Sequence, residues 1–288
     1  MNSVSKYASL VRFAHTVFAM PFALTGFAYA FITTPIPPAT WGVLLLQVVV
    51  CMVLARNTAM GFNRWADRRI DRENPRTADR DIPAGRISAR AALIFVIVNA
   101  LLFILVASTI NLLTALLSPM ALVIIMAYSY CKRFTSAAHL VLGLSLSIAP
   151  IGAYIAVAGH FAVAPCILAL LVLTWCGGFD IIYALQDATF DQARGLHSIP
   201  ARFGARKALA ISCALHAVSI TALLWFASYC PQTWLLWCGE AIFIALLILQ
   251  HILVTPTRQK NIGIAFGTLN GLASLVLAAT IITDLLLF

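Results

Sequence analysis

Four aspartates form two pairs with the same spacing in the chain. Asp67 and Asp71 are four residues apart, and Asp187 and Asp191 repeat that spacing at an offset of 120 residues (67 to 187 and 71 to 191). Residues four apart lie on one face of an α-helix, so each pair predicts an oxygen-rich helix face. Such faces suit Mg²⁺, which usually completes its coordination shell with waters and substrate phosphates. The spacing therefore predicts two metal-binding clusters that act on a phosphorylated substrate.

Neighbouring polar residues extend both pairs along the same predicted helices. Asn63 lies four residues before Asp67, and Arg56 lies seven residues before Asn63. Asp180 and Tyr183 precede Asp187 at comparable helical spacings. These intervals place the side chains of each group on one helix face. The amide oxygen of Asn63 is a further oxygen ligand of the kind that Mg²⁺ accepts.

Basic residues surround the two acidic groups. Six arginines crowd the segment after the first group, and four more basic residues lie in the neighbouring connections: Arg64, Arg68, Arg69, Arg72, Arg76 and Arg80, then Lys132, Arg133, Arg194 and Arg202. Several of these are expected to form a solvated face. A few are candidates to bind a diphosphate, because a guanidinium donates two parallel hydrogen bonds to phosphate oxygens.

The composition places the chain in the membrane class. Of its 288 residues 62% are hydrophobic and 10% are charged, and the mean hydropathy is +0.95. We expect one integral-membrane domain over residues 1–288, an all-α polytopic bundle of nine transmembrane helices around a central cavity, with two cytoplasmic acidic helix-loop units. The nine apolar runs fall near 13–33, 40–62, 90–108, 112–130, 137–158, 161–182, 208–229, 232–254 and 264–287.

The distribution of basic residues predicts the orientation in the membrane. Every Lys and Arg lies at the N-terminus, in alternate connections or in the helix ends beside them, beginning with the connection between the second and third runs. The positive-inside rule then places the N-terminus and the acidic groups in the cytoplasm and the C-terminus outside. The net charge of +9 thus faces lipid headgroups and anionic substrate, and we expect no nucleic-acid partner.

An amphiphile with a diphosphate head and a long hydrocarbon tail suits this arrangement. Its head would bind at the cytoplasmic rim while its tail lies between the helices. Ionisation of an allylic diphosphate creates a carbocation and pyrophosphate, and metal and basic groups stabilise the charge that develops on the leaving group. The carbocation requires a pocket that excludes water, and apolar and aromatic walls supply one.

The chain resembles the UbiA superfamily of intramembrane prenyltransferases over nearly its whole length. The resemblance rests on three motifs together with the nine predicted spans: Asn63-x-x-x-Asp67-x-x-x-Asp71, Tyr128-x-Tyr-x-Lys132-Arg133 and Asp180-x-x-Tyr183-Ala-x-x-Asp187-x-x-x-Asp191. It implies Mg²⁺-dependent transfer of a polyprenyl group from polyprenyl diphosphate to an aromatic acceptor in quinone biosynthesis, in a bacterial-type inner membrane. Nothing in the sequence predicts the tail length or the oligomeric state.

The resemblance also implies roles for individual residues. The metal ligands would be Asn63, Asp67, Asp71, Asp187 and Asp191. The catalytic residues would be Asp180, Tyr183 and Arg56. The diphosphate would contact Asn63, and Lys132 and Arg133 would face either the diphosphate or the acceptor carboxylate. Independently of the resemblance, the surrounding positive charge makes Arg68, Arg72 and Arg194 further candidates to bind the diphosphate. At position 64 many relatives have Asp where this chain has Arg, which leaves the ligand set of the first metal open.

Two further segments resemble a 4-hydroxybenzoate polyprenyltransferase-like subgroup, which is also associated with the futalosine branch of menaquinone biosynthesis. They are the stretch from Arg12 to Phe22, which contains His15, and the segment Gly195-Leu-His197-Ser-Ile-Pro. The acceptor would then be 4-hydroxybenzoate or a dihydroxynaphthoate, with His15 as an acceptor-binding residue. Haem farnesyl transfer and pigment prenyl transfer remain alternatives, and a divalent-cation transporter is an alternative of a different class.

Overall fold

The computed structural model describes residue 10 and residues 18–288, and within those residues it contains helices and turns but no β-strand. The α-helices are α1 (Met20–Thr33), α2 (Pro38–Ala66), α3 (Arg68–Glu73), α4 (Ala89–Ser108), α5 (Leu112–Cys131), α6 (Ala138–Ala158), α7 (Val163–Ala184), α8 (Ala188–Ala193), α9 (Ile199–Ala227), α10 (Trp234–Leu253) and α11 (Asn270–Leu287). A 3-10 turn, Leu185–Asp187, joins α7 to α8, and a π-helical segment, Ile264–Leu269, leads into α11.

The helices confirm the predicted all-α membrane bundle. By length and composition, eight helical segments of the described chain are able to cross a membrane, and α1 is a shorter apolar helix. These segments correspond to the nine predicted spans. Large apolar side chains on their outer surfaces are exposed, among them Leu101, Leu116 and Val123, as a lipid-facing surface requires. The first part of the predicted span 13–33 lies outside the described residues.

The helix starts follow local sequence signals. The side chains of Ser88, Asn111 and Ser198 each accept a hydrogen bond from a backbone N–H in the first turn of the following helix. Such caps satisfy amides that have no partner within the helix. Helix α9 contains a kink at Gly204, whose φ of +77° lies in the region that favours glycine. The caps and the kink set where the cytoplasmic connections end and the apolar helices begin.

Helix α7 occupies the centre of the bundle. It packs most extensively against α9 and α6, and α11 packs back onto α1 to complete the arrangement. Trp175 on α7 is fully buried, with ring contacts to Phe22, Phe179 and Phe243. The helix that carries the second acidic motif is therefore held on several sides by apolar packing.

Each acidic pair spans a joint between two helices. Helix α2 ends at Ala66, and Asp67 links it to α3 with φ −91° and ψ 4°. The Asp71 N–H still donates to the Asp67 carbonyl at 2.8 Å, so the helical spacing persists across the joint. Asp187 closes the 3-10 turn before α8, which carries Asp191. The two residues of each pair therefore lie on either side of a joint rather than on one continuous helix, because the backbone leaves regular α-helical geometry at Asp67 and at Asp187.

Candidate active site

The two acidic motifs meet through the segment that follows α3. Asn74 donates from Nδ2 to Oδ1 of Asp187 at 3.0 Å, and Arg76 donates from Nε to the same oxygen at 2.8 Å. A second guanidinium nitrogen of Arg76 contacts Oδ2 of Asp187. Arg76 also donates from Nη1 to the hydroxyl of Tyr183 at 2.8 Å. One loop thus connects the first motif to two residues of the second.

The first motif is held together by its own polar side chains and by the end of α5. Asn63 donates from Nδ2 to Oδ2 of Asp67 at 3.1 Å. Arg133, just past α5, donates from Nη2 to Oδ1 of Asp67 at 3.1 Å and to the Ala66 carbonyl at 2.8 Å. Burial raises the pKa of Asp67, although the hydrogen bond and charge of Arg133 act in the opposite direction. A cation bound to this carboxylate would therefore offset a real desolvation cost.

The other two carboxylates also face basic side chains. Asp71 is buried and accepts a 2.6 Å contact from Nη1 of Arg80. Nζ of Lys132 lies 3.9 Å from Oδ2 of Asp191. Together with the Arg76 and Arg133 pairs, each of the four aspartates faces a different Lys or Arg. Basic groups are therefore already in place around any anion that binds at these carboxylates.

The donor chemistry of the site suits a hard divalent cation. Oδ2 of Asp71 and Oδ2 of Asp191 are both shielded from solvent, and neither accepts a hydrogen bond from the described residues. A buried carboxylate oxygen without a donor is costly, and a cation removes that cost. The described residues contain no cluster of three or more acidic, His or Cys side chains close enough to enclose an ion.

An apolar cavity of about 360 Å³ begins one turn from the acidic site. It runs between α2, α5 and α6, from Met60 and Tyr128 at the end near Asn63 to Thr114 and Phe161 at the far end. Thr114 and Tyr128 are fourteen positions apart, which corresponds to about 20 Å along a helix. Met120 and Leu144 line it and are exposed on the outer surface, so the cavity opens sideways toward the lipid.

Two polar side chains face the cavity near the acidic site. Nε and Nη2 of Arg56 are shielded from solvent and have no hydrogen-bond partner among the described residues. Tyr128 lies within electrostatic range of Arg56, Asp67 and Asp180, so it is near residues from both motifs. An unpartnered buried guanidinium is costly and is well placed to bind an anion that enters the cavity.

Asp180 and Tyr183 occupy successive turns of α7. Oδ2 of Asp180 lies 2.6 Å from Nδ1 of His139 at the start of α6. The ring of Tyr183 stacks on Phe266, with a centroid separation of 4.1 Å. The guanidinium carbon of Arg76 lies over the Tyr183 ring, 5.2 Å from its centroid. Both side chains are thus fixed by contacts from other elements.

Three predicted diphosphate-binding residues form no ion pair with the four site aspartates in the described part of the chain. Arg68 donates to the Trp65 carbonyl at 2.6 Å and lies over the Trp65 ring. Arg72 is exposed, and Arg194 forms a 2.5 Å ion pair with Glu73. Their roles toward a diphosphate remain predictions. His15, predicted to bind the acceptor, lies outside the described residues.

Four residues that the site contains were not singled out by the sequence. Arg76 and Arg80 were two of the six arginines that crowd the first loop. Only the fold of that loop, which brings Arg76 to Asp187 and Arg80 to Asp71, distinguishes them from the other loop arginines. Asn74 precedes Pro75 in a turn whose direction the sequence does not give. His139 reaches Asp180 across the packing of α6 on α7, for which a single sequence contains no signal.

Known proteins share both the sequence and the fold. Proteins named 4-hydroxybenzoate octaprenyltransferase are similar to this chain: that of Polynucleobacter asymbioticus is 28% identical over 77% of either chain, and that of Tolumonas auensis is 31% identical over 82% of either chain. The apo structure of a UbiA homolog from Aeropyrum pernix K1 superposes with a TM-score of 0.83 at 30% identity, covering 94% of this chain and 98% of that one.

A second solved structure supports the fold. The UbiA homolog from Archaeoglobus fulgidus bound to GPP and Mg²⁺ has a TM-score of 0.70 at 20% identity, covering 96% of this chain and 99% of that one. The profile of the UbiA prenyltransferase family matches residues 19–281. With the two acidic motifs gathered at one end of a helical bundle, this match shows that the chain belongs to the UbiA prenyltransferase family.

Proposed function

We propose that this protein transfers a polyprenyl group from polyprenyl diphosphate to an aromatic acid, 4-hydroxybenzoate or a dihydroxynaphthoate, in ubiquinone or menaquinone biosynthesis, and that it requires Mg²⁺. The observation that carries the proposal is the convergence of both acidic motifs at the mouth of an apolar cavity. The names of the similar 4-hydroxybenzoate octaprenyltransferases support the choice of donor and acceptor.

The diphosphate would bind at the acidic end of the cavity. Asn63, Asp67, Asp71, Asp187 and Asp191 would hold the metal. Bound Mg²⁺ supplies positive charge that stabilises the departing pyrophosphate. Arg76, Arg80, Lys132 and Arg133 already contact these carboxylates, so they lie within reach of phosphate oxygens. Their guanidinium and ammonium groups would bind the anion and add to the stabilisation of its charge.

The prenyl tail would lie in the apolar cavity. The cavity is about 20 Å long by helix geometry and is lined mainly by apolar side chains, most of them from α2, α5 and α6. Its lateral opening beside Met120 and Leu144 gives a membrane-dissolved substrate a route of entry and allows a longer tail to extend into the lipid. The same apolar lining excludes water from the carbocation.

The acceptor would bind between Arg56 and Asp180. The free donors of Arg56 would pair with the acceptor carboxylate, and the ring would then lie near the carbon that loses the diphosphate. The prenyl C–O bond breaks, a C–C bond forms at a ring carbon, and pyrophosphate leaves. The Asp180 carboxylate would accept the proton that the ring carbon releases. Tyr183 would hold Arg76 in place through their 2.8 Å hydrogen bond.

The same proposal includes an orientation and a cellular site. We place residues 1–288 as one domain in a bacterial-type inner membrane, with the active site and N-terminus cytoplasmic and the C-terminus outside. The support is the charge distribution: the connections beside the acidic site contain the arginines, whereas the α4–α5 and α6–α7 connections at the other end contain none.

The test is a competition assay with the purified protein. Polyprenyl diphosphate and Mg²⁺ are supplied with equal amounts of 4-hydroxybenzoate and dihydroxynaphthoates, and the prenylated product is identified by mass spectrometry. We expect a product from an anionic phenol, and loss of both product and pyrophosphate in D67A and D187A. In sealed vesicles, inside-out preparations should release pyrophosphate and right-side-out ones should not.

The matched control is D79A. Asp79 belongs to the same loop as the first motif, but its side chain is 96% exposed and pairs with Arg86. This variant should keep wild-type turnover. Near-normal turnover in D67A or D187A would contradict the metal assignment, and product from neither acceptor class would contradict the proposed function.

A further inference from the structure

His139 forms a buried link between two helices and the reacting centre. Its side chain is fully buried at the start of α6. Nδ1 lies 2.6 Å from Oδ2 of Asp180 on α7. The backbone N–H of Ile199, the first residue of α9, donates to Nε2 at 3.3 Å. Both ring nitrogens are therefore engaged, each by a different helix.

These two contacts determine the tautomer of the ring. Because the Ile199 N–H is a donor, Nε2 must be the acceptor and carries no proton. The neutral ring therefore bears its hydrogen on Nδ1, and Nδ1 donates to the carboxylate of Asp180. A backbone amide, which cannot change its role, thus makes His139 a permanent donor to Asp180. The contact directs Oδ2 of Asp180 toward His139.

Asp180 and His139 differ in how far their side chains are exposed, and this difference indicates different roles. The side chain of Asp180 is 18% exposed, whereas that of His139 is 0% exposed. Only Asp180 has surface available to a substrate. His139 is enclosed between α6, α7 and α9 and has access to the substrate only through the carboxylate that it contacts.

The contact with Ile199 also connects Asp180 to the second cytoplasmic loop. Two residues before Ile199, the His197 N–H donates to the Lys132 carbonyl at 2.6 Å. Lys132 in turn faces Asp191. The segment from His197 to Ile199 therefore packs against both the end of α5 and the start of α6. When this segment is in place, Ile199 holds the His139 ring in the orientation that serves Asp180.

We propose that His139 is a positioning residue that fixes the rotamer of Asp180 for proton transfer from the acceptor. The role rests on the proposed aromatic prenyl transfer. A carboxylate that accepts a proton in the transition state gains rate from correct placement, and misplacement by about 1 Å costs on the order of a hundredfold. His139 neither binds substrate nor exchanges a proton with it.

The test compares H139L and H139N. Leucine fills the space but donates no hydrogen bond, whereas the amide nitrogen of asparagine can donate from near the position of Nδ1. We expect kcat to fall by about tenfold to a hundredfold in H139L, with KM unchanged for both substrates. H139N should recover most of this loss. The matched control is H160A: His160 lies just beyond the other end of α6 and is exposed, and its loss should leave kcat unchanged.

A double-mutant cycle separates positioning from a general loss of structure. In a D180A background the added H139L substitution should cause no further fall in kcat, because the group that it positions is absent. Independent, multiplicative losses would overturn the role, as would equal losses in H139L and H139N or a rise in KM with kcat unchanged. A wild-type protein without prenyl transfer would overturn the proposed function itself, whereas an active wild type with a fully active H139L would overturn only the role of His139.

Discussion

At the scale of single residues, the site is organised by charge pairing across segments that are distant in the chain. Asp187 binds Arg76 from the first loop, and Asp67 binds Arg133 from the end of α5. Each pair compensates the negative charge of a carboxylate and holds a basic group beside it. Under the proposed function, a metal diphosphate would give the carboxylates a cation and the basic side chains phosphate oxygens, so no buried charge would be left unpaired.

Arg56 is the exception to this pairing, and it supports a prediction. Because Nε and Nη2 of Arg56 have no partner among the described residues, R56M should leave the melting temperature of the substrate-free protein unchanged or raise it. The same substitution should raise the KM for the aromatic acid by about tenfold to a hundredfold, as expected for loss of a hydrogen bond between charged groups. Thermal unfolding in detergent and initial rates at varied acceptor concentration measure the two effects.

The control for this prediction is R206M, which removes an exposed arginine of α9 and should change neither quantity. The KM for polyprenyl diphosphate should also stay constant in R56M. A large fall in melting temperature would show that Arg56 has a structural partner. A rise confined to the KM for the diphosphate would assign Arg56 to the other substrate.

The sequence singled out the acidic residues of the site but not their contacts. Asp67, Asp71, Asp187 and Asp191 were recognised because their spacing repeats, and repetition is visible in one sequence. The partners Asn74 and His139 were not recognised, because their contacts depend on loop direction and helix packing. Such contacts form between residues far apart in the chain, and local periodicity does not encode them.

At the scale of helices, close packing of α6 on α7 determines where Asp180 lies. Gly143 on α6 lies against the backbone of α7, so a Cβ at that position would collide with the Leu173 carbonyl oxygen. The two helices approach closely because small residues permit it. His139 precedes Gly143 by one turn of the same helix, so this contact also sets the distance between His139 and Asp180.

The close approach predicts opposite effects for two glycine substitutions on α6. G143A should destabilise the protein by about 1–3 kcal/mol, the usual cost of overpacking, because the carbonyl oxygen of Leu173 cannot move away independently. G152A is the matched control: a Cβ there meets nothing within 4 Å, and alanine favours helix by about 1 kcal/mol. Thermal unfolding in detergent should show a lower midpoint for G143A alone. Equal midpoints for the two variants would refute the packing argument.

Element boundaries illustrate what hydropathy does and does not predict. The interiors of the spans were predicted because apolar runs of membrane length have few alternatives. The joints at Asp67 and Asp187 were not predicted, since a break of one or two residues leaves the hydropathy profile unchanged. The kink at Gly204 also lies just before a predicted span, where α9 begins earlier than its apolar run.

At the scale of the whole molecule, the bundle separates two kinds of chemistry along one axis. The charged groups lie at one end, where α2, α5 and α7 finish, and the apolar cavity extends from there toward the other end. A substrate with a charged head and an apolar tail can therefore bind only with its head at the charged end and its tail in the cavity. Under the proposed function, the reacting carbon would lie where the two regions meet, near Asp180 and Tyr128, which interact electrostatically.

The length of the cavity predicts how substitution within it changes donor choice. Ala121 lines the cavity seven residues, or about 10 Å along α5, from Tyr128. A121F should obstruct the cavity midway, so turnover of octaprenyl diphosphate should fall while turnover of the short geranyl diphosphate persists. The ratio of the two kcat/KM values, measured with one acceptor, reports the change. The matched control is L116F on the same helix, where the side chain is 67% exposed toward the lipid and the ratio should not move. If A121F lowered both rates equally, the tail would lie elsewhere in the bundle.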